Sequence, residues 1–505
     1  MPDVGRKMFC RNGFGSDILF AAARVIAGAG FAGGDVCLRP DHAACASPLH
    51  RGRMPNWQKK ALAIFLRRKF RPWALLTPIL VLLVALPLLR PLRSPSGASN
   101  GELLLLDTVR AVSQTGGLRL DPTVWRGRPG TVINAKDRVI ADRPPVFAVL
   151  LAGPGWVMQK FGLKYGVDDD LIAYLLTVFG TTIPVAVGGG VIYRMGRLFE
   201  LNRPRRALLA LLVTFGGGWI TYATVLNPHA TAAAALVCAS ACLLYLAAAR
   251  RSGPMLPILL LCGFLSALAA ALSPWTLPLA LPLPLVLFAM AIPARQKVIG
   301  FMLLTLGAMP VAWIHAAWSL DAYGSIFAPG SRATLNAVVS GDPDSDAIGR
   351  VGSLGGSLLS VTLGSHGILT HYPILIAAFV GLFIVLRKHW PMHAKVFGAI
   401  VLVGGIMVVM LVAARRASTG DWRYAAQWFV VFLPLATFWL GALLRRELSR
   451  RSFWLVTAAC AISGTMSLIG AAYQSNADEG SGAMKSSIAR VVGWWSGKEA
   501  GASDG

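Results

Sequence analysis

Long apolar stretches separated by short basic segments make up most of the chain after residue 72. A helix needs about 20 apolar residues to span the ~30 Å hydrocarbon core, and only helices or closed barrels satisfy their backbone there. We therefore interpret the stretches as about 11 transmembrane helices. The predicted spans are residues 73–92, 171–193, 207–226, 230–249, 255–274, 276–293, 298–318, 371–386, 395–414, 425–444 and 453–472.

Segment 145–162 is ambiguous, since Gly153-Pro154-Gly155 interrupts it and Arg143 and Lys160 flank it. If it does not cross the membrane, the basic clusters all lie on the side of the basic N-terminal flank, which the positive-inside rule assigns to the cytoplasm. If segment 145–162 does cross, another weak span must be lost or split to keep the basic clusters on the cytoplasmic side. We expect no crossing, with a cytoplasmic N-terminus and long outward loops at 94–170 and 319–370.

Composition agrees with this pattern. The chain has 505 residues, 55% hydrophobic and 14% charged, with a mean hydropathy of +0.59, whereas ordinary soluble domains have about 25% charged residues. The net charge of +25 fits the positive-inside bias rather than nucleic-acid binding. Walker A and Rossmann glycine patterns are absent from the sequence, which excludes a soluble nucleotide enzyme and an RNA-binding module.

The expected organisation has four parts. Residues 1–53 are interpreted as a disordered extension preceding an alternative start at Met54, and 54–72 as a basic cytoplasmic flank. Residues 73–472 form the all-α, polytopic transmembrane domain, and 473–505 a disordered C-terminal tail. In the first outward loop, the pattern predicts a short amphipathic helix from about Leu103 to Gln114, then irregular chain as far as Pro144-Pro145.

Two carboxylates follow the first span. Glu102 and Asp107 lie on the predicted short helix, which a Gly116-Gly117 pair closes. A carboxylate at this position could act as the general base that deprotonates a hydroxyl at the membrane surface. The alternative is structural, with Glu102 as a helix-dipole partner and Asp107 as a solvated surface charge.

Arg143 precedes Pro144-Pro145, and the two prolines fix an extended conformation before the next helix. A guanidinium held at headgroup level can bind a phosphate through two hydrogen bonds. The alternative is an ordinary interfacial arginine that contacts lipid headgroups.

Further polar residues lie at predicted outward helix ends. They are Asn227 and His229, His366 and His371, and Trp422 with Arg423. The five-residue separation of the two later histidines is poor for a metal on one helix face, and we expect no metal site. The Trp-Arg pair is either part of the aromatic belt or a pair that stacks on a sugar and binds phosphate.

The order of these motifs resembles the GT-C superfamily of integral membrane glycosyltransferases, such as protein mannosyltransferases and lipid A aminoarabinose transferases. In that superfamily an acidic residue follows the first span, then a helix and a glycine, and then a Lys/His-Pro-Pro motif opens the next helix. Glu102, Gly116 or Gly117, and Arg143-Pro144-Pro145 stand in that order here.

The resemblance extends to a group of uncharacterised bacterial membrane proteins and covers roughly residues 70–445. The segments that carry it are Thr108-Val109-Arg110-Ala111, Asn227-Pro228-His229, His366 to Pro373, and Asp421-Trp422-Arg423-Tyr424.

The resemblance implies transfer of a sugar from a polyprenyl-phosphate carrier to an acceptor hydroxyl at the outer face of the bacterial cytoplasmic membrane. Glu102 or Asp107 would act as base, and Arg143, Lys136 and Arg423 would bind the phosphate. Asn227, His229, His366 and Trp422 would contact substrate.

The expected partners are the lipid-linked sugar, a glycan, lipid or protein acceptor, and membrane lipid, without nucleic acid. We expect no cofactor; a divalent metal is compatible with the resemblance but not indicated. The alternative is a non-catalytic lipid-linked glycan transporter or assembly factor with the same architecture. Ionisable residues within the spans would favour transport, but the predicted spans contain almost none, and His315 is the main exception.

Overall fold

Helices form nearly all the regular structure in the computed structural model of the chain. The structure describes residues 72–89, 100–127, 131–133, 137–249, 255–329, 354–364, 367–419, 427–445 and 449–472. All of these belong to the unit Arg71–Gly505. The predicted extension 1–53, nearly all of the flank 54–72 and the tail 473–505 lie outside the described residues.

Within those ranges, six helices are long and apolar enough to cross a membrane, or up to seven if one bent helix pair is a single span. The chain is therefore an integral membrane protein. The six helices are Asp169–Phe199, Pro228–Ala248, Met255–Leu272, Ala294–Tyr323, Met392–Ala413 and Arg450–Ala472, and the bent pair is Gly356–His371 with Ile374–Arg387.

Other predicted spans are shorter or interrupted apolar segments. Pro72–Leu88, Pro274–Phe288 and Leu433–Leu444 are shorter apolar helices. The predicted span 207–226 changes from an α-helix to a π-helical turn at Leu212–Gly216 and a 3₁₀ turn at Ile220–Tyr222. The number of crossings therefore stays a prediction.

We label the elements in chain order. The helices before the β-hairpin are α1 (Pro72–Leu88), α2 (Asn100–Thr115) and α3 (Pro122–Trp125), and the hairpin strands are β1 (Thr131–Ile133) and β2 (Val139–Ala141). Those that follow as far as residue 249 are α4 (Val146–Lys160), α5 (Asp169–Thr177), α6 (Ile183–Met195), α7 (Arg203–Leu211) and α8 (Pro228–Ala249).

The second half of the chain is also helical. Its helices are α9 (Met255–Leu272), α10 (Leu277–Ala280), α11 (Leu285–Phe288), α12 (Ala294–Tyr323), α13 (Leu354–Leu363), α14 (Ile368–His371), α15 (Ile374–Arg387), α16 (Met392–Thr419), α17 (Leu433–Thr437), α18 (Leu440–Leu444) and α19 (Arg450–Ala472).

Helix α2 is the predicted amphipathic helix, slightly longer than its sequence pattern indicates. It ends at Gly116, whose φ of 68° is a left-handed conformation that glycine adopts without a steric penalty. The chain beyond it is more ordered than the predicted irregular segment. Strands β1 and β2 pair in antiparallel register, with Thr131 opposite Ala141, and the Leu120 amide donates to the Val139 carbonyl at 2.8 Å.

Helix α4 packs against α2 and also contacts α9. Leu105 and Val109 of α2 share one buried apolar cluster with Phe147 and Leu151 of α4 and with Leu272 at the end of α9. The 15 residues of α4 are fewer than a span needs, and α4 is not among the spanning-length helices of the described chain. Its membrane position stays a prediction.

Candidate functional site

A small cleft lies between α2 and the start of α4. Its free volume is about 310 Å³ when the open solvent at its mouth is counted. Most of its wall is apolar, and Arg143 and Tyr323 bring the largest polar groups. The lining residues are Leu104, Leu105, Thr108, Leu118, Ala141, Arg143, Pro144, Pro145, Ala148 and Tyr323.

Arg143 lies in the short connection between β2 and α4. Strand pairing fixes the chain as far as Ala141, and Pro145 already has helical dihedral angles (φ −75°, ψ −19°) directly before α4. The prolines therefore lead into the helix within two residues, a tighter connection than the extended one predicted. Arg143 is half-buried, and it lines the same cleft as Leu104, Leu105 and Thr108 of α2.

Asp107 is held by a buried indole. Trp125 Nε1 donates to the Asp107 carboxylate at 2.7 Å, and Trp125 is only 3% exposed. Trp125 packs with Leu104 and Ala141, two residues that also line the cleft. The carboxylate is therefore fixed against the same small core that forms the cleft wall.

Burial raises the pKa of Asp107 above its ordinary value, since desolvation disfavours the charged form. The Trp125 hydrogen bond and the nearby Arg110 guanidinium act in the opposite direction, whereas the charges of Asp169 and Asp121 add to the increase. A carboxylate whose pKa lies closer to neutrality is a stronger base when ionised.

Glu102 lies in the first turn of α2, where its charge complements the helix dipole, and it is half-buried. Neither Glu102 nor Asp107 is among the residues that line the cleft, although Thr108 follows Asp107 directly. Arg143 thus shares a cleft with the helix that carries both carboxylates. The choice between the two carboxylates stays a prediction.

Asn227 and His229 belong to the start of α8. The Asn227 side-chain oxygen accepts a hydrogen bond from the His229 amide at 2.8 Å, and Asn227 is 3% exposed. This is the geometry of a helix N-cap. His229 is half-buried, with Nδ1 2.7 Å from the Ser273 hydroxyl. A contact of either residue with substrate stays a prediction.

Several predicted residues lie outside the described chain. They are Lys136, His366, Trp422 and Arg423. His371 is described and is fully buried, with Nδ1 2.9 Å from the Gly367 carbonyl. Among the described residues, no group of three or more His, Cys, Asp or Glu side chains is arranged to hold a metal ion.

The residues that sequence reasoning missed are Trp125 and Tyr323. Trp125 is 18 positions from Asp107, and Tyr323 is 180 positions from Arg143. An isolated tryptophan after the Asp121-Pro122 helix start is a weak signal for a buried anchor. Tyr323 has no local signal, because only the tertiary fold brings α12 to the Arg143 connection.

No protein-family model matches the chain, and no curated protein matches it. Among solved structures, it is similar to ArnT from Cupriavidus metallidurans bound to undecaprenyl phosphate, with 15% identity and a TM-score of 0.48 over 77% of this chain and 63% of that chain. It is also similar to the Archaeoglobus fulgidus oligosaccharyltransferase in complex with zinc and sulfate, with 12% identity and a TM-score of 0.48 over 80% and 54%.

The chain matches less than two thirds of the length of either protein.

Proposed function

We propose that the protein is a glycosyltransferase that moves a sugar from a polyprenyl-phosphate carrier to an acceptor hydroxyl at the outer face of the bacterial cytoplasmic membrane. The observation that carries the proposal is the cleft, which Arg143 lines together with residues of α2, the helix that bears Glu102 and Asp107. A cation in a largely apolar wall suits a lipid-linked phosphate, and the helix that shares this wall carries both candidate bases.

The reaction needs two charged groups. The acceptor oxygen forms a bond to the anomeric carbon while the bond from that carbon to the phosphate oxygen breaks, and the carrier leaves as its phosphate. A carboxylate, Glu102 or Asp107, takes the acceptor proton. Arg143 compensates the negative charge that grows on the leaving phosphate, and such stabilisation is commonly the largest single catalytic contribution.

The apolar wall suits the carrier as well. Leu104, Leu105 and Ala148 offer hydrocarbon surface next to Arg143. A ligand with a phosphate beside an isoprenoid chain matches this pairing of guanidinium and apolar surface. A nucleotide sugar would instead place its polar nucleoside against the apolar surface. Lys136 and Arg423 remain proposed additional phosphate ligands.

The test is binding of a polyprenyl-phosphate sugar to purified wild type, Arg143→Lys and Arg143→Ala protein in detergent. Arg143→Ala is expected to lose about tenfold to a hundredfold in affinity, and Arg143→Lys to recover only part of it, because lysine offers a single point contact. An interfacial anchor would tolerate lysine freely, since both side chains reach the headgroups. Equal binding by all three proteins would remove Arg143 from the site.

A further inference from the structure

The hydroxyl of Tyr323 is bound to the backbone on both sides of Asp142. It lies 2.8 Å from the Ala141 carbonyl oxygen and 2.6 Å from the Arg143 carbonyl oxygen. A phenol has one proton to donate, so the two carbonyls share it. Tyr323 thereby holds the two ends of the bend that carries Arg143.

The two prolines limit the backbone hydrogen bonds that the bend can make. Strand pairing with β1 ends at Ala141, and neither Pro144 nor Pro145 has an amide hydrogen to donate. Tyr323, by contrast, is the last residue of α12, a helix of 30 residues that ends at Gly324 in a left-handed conformation. A spanning-length helix therefore supplies the hydrogen bond from a well-fixed point.

We infer that Tyr323 is a positioning residue for Arg143. It fixes the backbone from which the guanidinium extends into the cleft, so that the guanidinium is already placed when a phosphate binds. The inference rests on the proposed function, since it takes the phosphate of the carrier as the ligand of Arg143. Tyr323 acts through Arg143 and needs no contact with the ligand itself.

The experiment measures binding of a long-chain polyprenyl phosphate, and of the matching polyprenol without phosphate, to the full-length protein in detergent. Tyr323→Phe keeps the ring and removes the hydroxyl. It is expected to weaken phosphate binding about fivefold, as for the loss of one ordinary hydrogen bond, and to leave polyprenol binding unchanged. In the Arg143→Ala background the same substitution should have no further effect, because coupled residues are not additive.

The matched control is Tyr174→Phe. The Tyr174 hydroxyl also donates to a backbone carbonyl of another helix, that of Leu86 at 3.3 Å, and it lies outside the cleft. The Tyr174→Phe variant should bind polyprenyl phosphate as wild type does. A second pair guards against misfolding of the phenylalanine variant: Tyr323→Gln, which keeps a donor, should bind more tightly than Tyr323→Leu, which has none.

The outcomes separate the two proposals. If Arg143→Ala weakens phosphate binding and Tyr323→Phe does not, Tyr323 has no positioning role and the proposed function stands. An equal loss of polyprenol binding in Tyr323→Phe, or a further loss in the Arg143→Ala background, would likewise reduce Tyr323 to a general structural residue. If Arg143→Ala binds polyprenyl phosphate as wild type does, the carrier site and the positioning role both fail.

Discussion

Asp107 and Glu102 lie five positions apart on the same helix, and their surroundings give them different chemistry. Asp107 has a fixed orientation, because the Trp125 indole donates to it at 2.7 Å, and burial raises its pKa. Glu102 lies in the first helical turn, where its charge complements the helix dipole. The environment of Asp107 thus favours Asp107 as the base, whereas the order of the motifs favours Glu102.

The pH dependence of transfer distinguishes the two carboxylates. If Asp107 is the base, the rate falls as the pH falls through its pKa. Trp125→Phe removes a donor that stabilises the ionised carboxylate, so the pKa rises further and the acid limb of kcat/KM moves up by about one pH unit. The charges that face Asp107, on Arg110, Asp169 and Asp121, are unchanged by the substitution.

Trp219→Phe is the control for this measurement. Its indole also donates, to the Ala230 carbonyl at 3.2 Å, but in a fully buried position away from the cleft. The acid limb should stay where it is in the control. An acid limb that is unmoved in Trp125→Phe as well, in a variant that still binds the carrier, would assign the base to Glu102.

At the scale of elements, glycine accounts for one break in the predicted helices. The span predicted at 207–226 becomes π-helical at Leu212–Gly216, and its helical form stops at Gly217-Gly218. Gly218 has a φ of 74°, and a Cβ there would overlap the ring of Tyr372, which is fully buried. The break is therefore a packed junction between two parts of the chain far apart in sequence.

Gly218→Ala is expected to lower the free energy of unfolding by about 2–5 kcal/mol, since it combines a left-handed backbone conformation with an overlap in a packed interior. Gly116→Ala is the matched control. It has a similar φ of 68° but no atom within 4 Å of the added Cβ, so about 1–2 kcal/mol is expected. Thermal unfolding in detergent, followed by tryptophan fluorescence, compares the two. Equal shifts would mean that the contact with Tyr372 contributes nothing.

The sequence predicts regular elements better than their interruptions. The amphipathic pattern of α2 and the apolar runs of α8, α9, α12, α16 and α19 identify these helices, because each depends on local periodicity or length. The β1–β2 pair has only three residues a strand, too few for an alternating pattern to stand out. The π and 3₁₀ turns depend on neighbours such as Tyr372, which local sequence does not identify.

At the scale of the whole molecule, the distribution of charge predicts orientation. Basic residues cluster after the spans on one side, as in Arg203-Pro204-Arg205-Arg206 and Arg387-Lys388. We expect a cytoplasmic N-terminus, outward loops at 94–170 and 319–370, and an outward C-terminus. A reporter that is active only outside the cytoplasm should give signal when fused after Gly341. A silent fusion there, with an active one after Lys388, would reverse the orientation.

Local sequence predicts some residues of the candidate site, and only the tertiary fold identifies the others. Motif order predicts that Arg143 and the helix with Glu102 and Asp107 belong together, and Arg143 lines one cleft with residues of that helix. The supporting residues Trp125 and Tyr323 come from the fold. Asn227 shows the converse, since a polar residue beside a span has an evident structural role as a helix cap.

Release of polyprenyl phosphate from a polyprenyl-phosphate sugar tests the proposed reaction. The purified protein is reconstituted with native host membranes as the source of acceptor. Wild type is expected to release the carrier and transfer the sugar. Glu102→Gln combined with Asp107→Asn should bind the donor but lower the rate by about 10²–10⁴-fold, as for loss of a general base. Donor binding by wild type without any transfer, or transfer at an unchanged rate in the double variant, would contradict the proposed reaction.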